Sequence, residues 1–206
     1  MEIKNKKQIF LVLVPHRDAR AALKKLSESL IKSGINNIYN FPFAAPLAAL
    51  LRPLSTDELK KIACSIREIK GDKKFNHNNF SSVVFPAGDE KMTLYGPRLD
   101  LQRQPDYSGC TGKIDSVFPN PVSGIFLEKI PEYKAEKQYL TVQERENEYD
   151  SLTDFVLKDK NELSFRPAAI ANMYWQPIRQ GAMTIYKWKI GKLCWLPNPG
   201  KKQFLK

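Results

Sequence analysis

Ser164-Phe165-Arg166-Pro167-Ala168-Ala169-Ile170-Ala171-Asn172-Met173-Tyr174-Trp175 decides the fold, because it has an echo far upstream in Phe41-Pro42-Phe43-Ala44-Ala45-Pro46-Leu47-Ala48-Ala49-Leu50. Both stretches carry Phe-x-x-Ala-Ala at the same internal offsets. Each is a mostly apolar run of small residues, of strand length, and each is followed by long apolar or aromatic residues and then a cation, Arg52 in the first copy and Arg179 in the second. Two related strands, one per half of the chain, predict a bilobal sheet protein with pseudo-twofold character. A coincidental match of a short Phe and Ala pattern is the competing explanation.

Around these strands the chain reads as α+β. Gln8 to Pro15 is a continuous β-branched and aliphatic run, the signature of a strand covered on both faces. Asp18 is placed to cap a helix running to about Ser33, with Ala22, Leu23, Leu26, Leu30 and Ile31 on one stripe and Gly34 closing it. Residues 35–43 and 46–54 read as extended, since Pro42, Pro46 and Pro53 oppose the helical propensity of the alanines. Ser55 and Glu58 have capping-box spacing ahead of an amphipathic helix that Gly71 closes.

Residues 80–86 and 92–101 form the arms of a strand pair around Ala87-Gly88-Asp89. Residues 102–124 read as an irregular insertion between the halves, and 125–130 as a short strand. Between 132 and 159 helix and strand both remain open. Residues 183–190 and 193–196 are expected to pair with each other across Gly191-Lys192 as a terminal hairpin. The whole, 1–206, is expected to be a single bilobal domain with a first-lobe core over about 8–70, two mainly antiparallel sheets and helices packed outside.

Composition narrows the function classes. Hydrophobic residues at 42% and charged residues at 27% describe a globular chain rather than a disordered one. A net charge of +11 favours phosphate-bearing or otherwise anionic partners, or belongs to a merely soluble surface. Cys64, Cys110 and Cys194 are widely separated and form no C-x-x-C pair, which argues against a disulfide framework or zinc site and for a reducing, cytoplasmic setting. The apolar run after Lys4, Lys6 and Lys7 is too short for a signal peptide and lacks a small-x-small cleavage site. A cytoplasmic monomer with no cofactor, metal or membrane association is expected.

The order of elements resembles the 2H phosphoesterase superfamily, which includes the 2′-5′ RNA ligase-like proteins and cyclic phosphodiesterases. The resemblance rests on the apolar strand ending near Pro15, the helix ending at Gly34, the strand entering 44–48, the Thr56-Asp57-Glu58-Leu59 helix start and Phe165-Arg166-Pro167. It is good over 8–70, moderate over 164–175 and poor between. It implies two His-x-Thr/Ser motifs facing each other in a basic cleft, one imidazole accepting a proton and the other donating one.

Here those motifs are emptied. The second position reads Ala168-Ala169-Ile170, and the first falls on Ala44-Ala45-Pro46 or Pro46-Leu47-Ala48 according to register. The two histidines, His16 and His77, lie elsewhere. Losing both imidazoles should abolish the family's reaction, each acid or base being worth about 10²–10⁴ in rate.

Arg52, Arg166, Asn172, Tyr174 and Trp175 flank the emptied positions. They are candidates for holding phosphate or a base edge and for stacking a base; the alternative is that the aromatics fill core and the arginines pair with carboxylates. His16 either faces a ligand at a helix N-terminus or is a surface or capping residue, and His77 sits in an Asn-rich turn. On the 183–196 segment Tyr186, Trp188 and Trp195 alternate with Lys187, Lys189 and Lys192, giving one aromatic and one basic face, a pattern that a half-buried strand also produces.

Three function classes follow: a catalytically inactive 2H-like protein that binds RNA, a nucleotide or another phosphate-bearing ligand; an interaction module whose Ala-lined cleft takes an apolar or peptide ligand; and an enzyme of different chemistry using His16 or Tyr174.

Overall fold

The computed structural model describes residues 8–32, 42–66, 80–87, 90–99, 101, 104–119, 121–122, 126–129, 167–180 and 183–197. His77, Arg166, 35–41 and 132–159 lie outside them. The elements in chain order are β1 (Gln8–Pro15), α1 (Arg17–Lys32), β2 (Ala45–Leu50), α2 (Thr56–Ser65), β3 (Phe80–Ala87), β4 (Glu90–Pro97), β5 (Ile114–Val117), β6 (Phe126–Lys129), β7 (Pro167–Gln180), β8 (Met183–Ile190) and β9 (Cys194–Trp195). It is a mixed α/β protein whose main sheet is antiparallel, in the order β5-β2-β1-β7-β8 with β9 also on β7; β3-β4-β6 form a smaller sheet.

The two Ala-rich strands share one sheet. They lie on either side of β1: Leu11 is flanked by Ala48 and Asn172, and Leu13 by Ala45 and Ile170. The reason is volume. β1 presents Phe10 to Val14, all at most 2% exposed, and the strands beside it answer with alanine, Ala171 next to Val12 and Ala169 next to Val14. Large against small across a sheet lets covering elements approach without voids. Ala45 and Ala169 of the shared pattern therefore pack beside β1, while its Phe41 and Phe165 lie outside the described residues.

Both sheet faces are buried. On one, Leu11, Leu13, Ala48, Leu50 and Ile170 pack with Leu59, Ile62 and Ala63 of α2 and Leu23 of α1. On the other, Phe10, Val12, Val14, Ala169, Ala171, Met173 and Trp175 meet Leu94 of β4 and Phe118, with Trp188, Ile190 and Leu193 partly buried beside them.

Further expectations are corrected. β8 pairs with β7 rather than with the segment after Gly191, because β7 runs 14 residues, past Trp175 to Gln180, and offers its edge first to β9 and then to β8. Within the supposed insertion 102–124, β5 adds to β2 as an edge strand, Ala48 opposite Val117. The extended reading of 46–54 holds only to Leu50, after which the chain turns toward α2. Helix α1 starts at Arg17, the Arg20 amide donating to the His16 carbonyl, so His16 rather than Asp18 stands immediately before it.

The arms around Ala87 and Glu90 pair as expected, with β6 continuing that sheet along β4. No helix among the described residues is long and apolar enough to cross a membrane.

Candidate functional site

All but one of the emptied motif positions are buried. Ala44 and Ala48 are fully buried, Pro46 is buried, Ile170 is fully buried beneath the α2 side of the sheet, and Ala168 is half-buried. Ala44, Ala48 and Ile170 face packed side chains, so these positions line the interior rather than a groove, and Ala168 alone of the five is half-buried.

Asn172 lies one pleat beyond Ile170 on the α2 face, 7% exposed. Its Oδ1 accepts from the Leu54 amide at 3.1 Å and its Nδ2 donates to the Leu54 carbonyl at 2.8 Å. A buried carboxamide that returns both bonds of one peptide residue acts as a clasp, and both of its polar ends are engaged within the protein. This corrects the reading of Asn172 as a ligand group. Trp175 is corrected likewise: at 2% exposure, with its ring centroid 6.2 Å from that of Trp188, it is core and presents no stacking platform.

The clasp has a geometric consequence for Arg52. Residues 51–54 leave β2, and Asn172 draws Leu54 onto β7, so this linker reaches across the α2 face from one neighbour of β1 to the other. Arg52 is exposed in it, two residues from Leu54 and hence within about 7 Å of chain reach. Tyr174, two residues beyond Asn172 on the same face of β7, is half-buried against Gly191. A Cβ on Gly191 would lie 3.1 Å from the Asn172 carbonyl oxygen and 3.3 Å from Tyr174 Cε2, and the Gly191 amide donates to that carbonyl at 2.8 Å. A side chain there would require its neighbours to give by a few tenths of an ångström.

Beside Tyr174 the register places Lys189, and beside the exposed Gln176 it places Lys187. Both lysines are exposed, as is Lys192 in the connection to β9. One end of the α2 face thus gathers Tyr174, Gln176, Lys187 and Lys189, and the linker that carries Arg52 is tied to the same face at Asn172. The basic face of β8 was visible in its alternation; the approach of the Arg52 linker to this face was not, because it depends on bonds from the Asn172 side chain to the Leu54 backbone, whose atoms carry no sequence signature.

His16 is exposed at the opposite end of β1, after Pro15, whereas Tyr174 pairs near the start of β1 at Ile9. At about 3.4 Å per residue the strand holds them roughly 20 Å apart, so the two do not form a common acid–base pair.

At the other flank of α2, Ser55 and Glu58 complete the capping box, and Lys113 closes on the Glu58 carboxylate at 2.7 Å. The Lys113 ammonium first, and then the Ser55 amide, hold the Glu58 carboxyl down to about 2. That acid is occupied in structure. Lys113 reaches it from a turn in which Gly112 adopts φ 73° and the Lys113 amide donates to the Cys110 carbonyl. Comparison of the chain with protein-family models, with curated proteins and with solved structures finds no match.

Proposed function

We propose that this chain is a non-catalytic binder of a phosphate-bearing ligand, in keeping with its resemblance to an inactive 2H phosphoesterase. One observation carries the proposal: the positions where that chemistry would need imidazoles and hydroxyls hold Ala44, Pro46, Ala48, Ala168 and Ile170, all buried except the half-buried Ala168. Alanine, proline and isoleucine move no proton. A net charge of +11, with Arg52, Lys187, Lys189 and Lys192 exposed, supports an anionic partner.

The test has two arms. Purified protein incubated with 2′,3′-cyclic nucleotides or 2′-5′-linked dinucleotides is expected to give no product above buffer, while RNA binding is expected to weaken steadily as salt rises. Turnover that disappears on His16→Ala or His77→Ala would replace the proposal with an enzyme of different chemistry. Salt-independent binding of an apolar ligand would replace it with an interaction module.

A further inference from the structure

We propose that the open end of the α2 face, formed by Arg52, Tyr174, Lys187 and Lys189, is a contact site for single-stranded RNA. This rests on the binding reading above and gives it a place that the emptied motif positions do not. The argument begins with spacing. Lys187 and Lys189 are two residues apart on an antiparallel strand and point to one side, which separates them by about 7 Å. Two exposed ammonium groups at that distance repel each other, and neither has a carboxylate partner within 4 Å among the described residues. An extended single strand, with a phosphate on each nucleotide, supplies successive negative charges at a comparable interval.

Arg52 adds a third cation from a distant part of the chain, delivered to this face by the clasp between Leu54 and Asn172. Tyr174 is flanked by Lys189 in the register and backed by Gly191, two residues along β7 from the Asn172 that ties down the Arg52 linker. A cationic track beside an aromatic ring is the arrangement by which single-stranded nucleic acids are held without base-specific reading, phosphates on the cations and a base on the ring. A duplex suits the surface less well, since its bases are stacked inward and leave the ring without a partner.

The alternative role for Lys187 and Lys189 is to keep the outer strand of the sheet from pairing with another copy, for which lysine on an edge strand is well suited. That role needs neither Arg52 nor Tyr174.

The experiment is fluorescence anisotropy of a labelled oligouridylate of about ten nucleotides, within the usual range of single-strand sites, titrated with the full chain over a series of salt concentrations. For Lys187→Gln/Lys189→Gln the slope of log affinity against log salt is expected to shallow by about 1.4, from about 0.7 per phosphate released. Arg52→Gln is expected to shallow it by about 0.7. Tyr174→Leu, which keeps apolar bulk against Gly191, should weaken binding roughly tenfold at every salt concentration with the slope unchanged. A charge-matched control, Lys24→Gln/Lys60→Gln on exposed helix positions, should leave the slope as in the wild type.

If the wild type binds and the β8 double variant keeps its full slope, the site is overturned while the binding reading stands. The site is overturned in the same way if the double variant self-associates with its RNA affinity intact. If the wild type fails to bind the oligonucleotide at low salt but binds a mononucleotide, the site is overturned and the binding reading stands; if it binds neither, both are overturned.

Discussion

Asn172 returns both hydrogen bonds of a peptide residue 118 positions away. Truncating it leaves the Leu54 N–H and C=O facing a buried gap, at roughly 1–3 kcal/mol for each orphaned group. Asn172→Ala is therefore expected to lower unfolding stability by about 3 kcal/mol in a urea titration, and Asn172→Asp by more, because a carboxylate would oppose the Leu54 carbonyl. A loss below about 1 kcal/mol would show that the amide does not hold the linker. From sequence alone this residue reads as a ligand group, a lone polar side chain between Ile170 and Met173. Its partner consists of backbone atoms, which every residue possesses and which no residue type advertises. Trp175 misleads for a related reason: an aromatic ring at the end of an apolar strand suits a stacking platform and a core equally, and only the adjacency of Trp188 across the sheet decides for the core.

Among the elements, those specified by short-range chemistry were legible. β1 is recognisable from its unbroken apolar run, the start of α2 from Ser55 and Glu58, and the β3–β4 pair from its breaker residues. What escaped was long-range pairing: nothing in Met183 to Ile190 says whether its partner lies before or after it, and the four residues of β5 are too few for a periodic pattern. The capping box itself was legible, but not its closure by Lys113, 55 residues away. That closure sets a pH response. Glu58 titrates near 4.5 when unfolded and at about 2 when folded, so its contribution is complete above pH 4.5 and is lost as pH falls through 2. Glu58→Gln keeps an acceptor for the Ser55 amide and removes the charge. It is expected to cost about 1–2 kcal/mol at neutral pH, with the gap to wild type closing as acid protonates the native carboxyl. Parallel stability curves from pH 7 to pH 2 would show that the ion pair contributes nothing.

Over the whole molecule the sheet order joins the two ends of the described chain: β1 is held on one side by β2, soon after it in sequence, and on the other by β7, near the end. Vectorial synthesis makes that order a schedule. The most apolar strand leaves the ribosome about 150 residues before the neighbour that covers its second edge. In the interval an edge bearing Phe10 to Val14 stays open, and such an edge templates association with other chains. A fragment comprising residues 1–130 is accordingly expected to be insoluble, or to bind a hydrophobic dye strongly, when expressed alone. Co-expression with 131–206 should restore solubility by supplying β7 in trans. A soluble, cooperatively melting 1–130 fragment would show instead that β1 can be satisfied locally. Because productive pairing of β1 must await the emergence of β7, elongation between the two strands delays folding, and synonymous changes that slow translation between them should raise aggregation without altering a single residue.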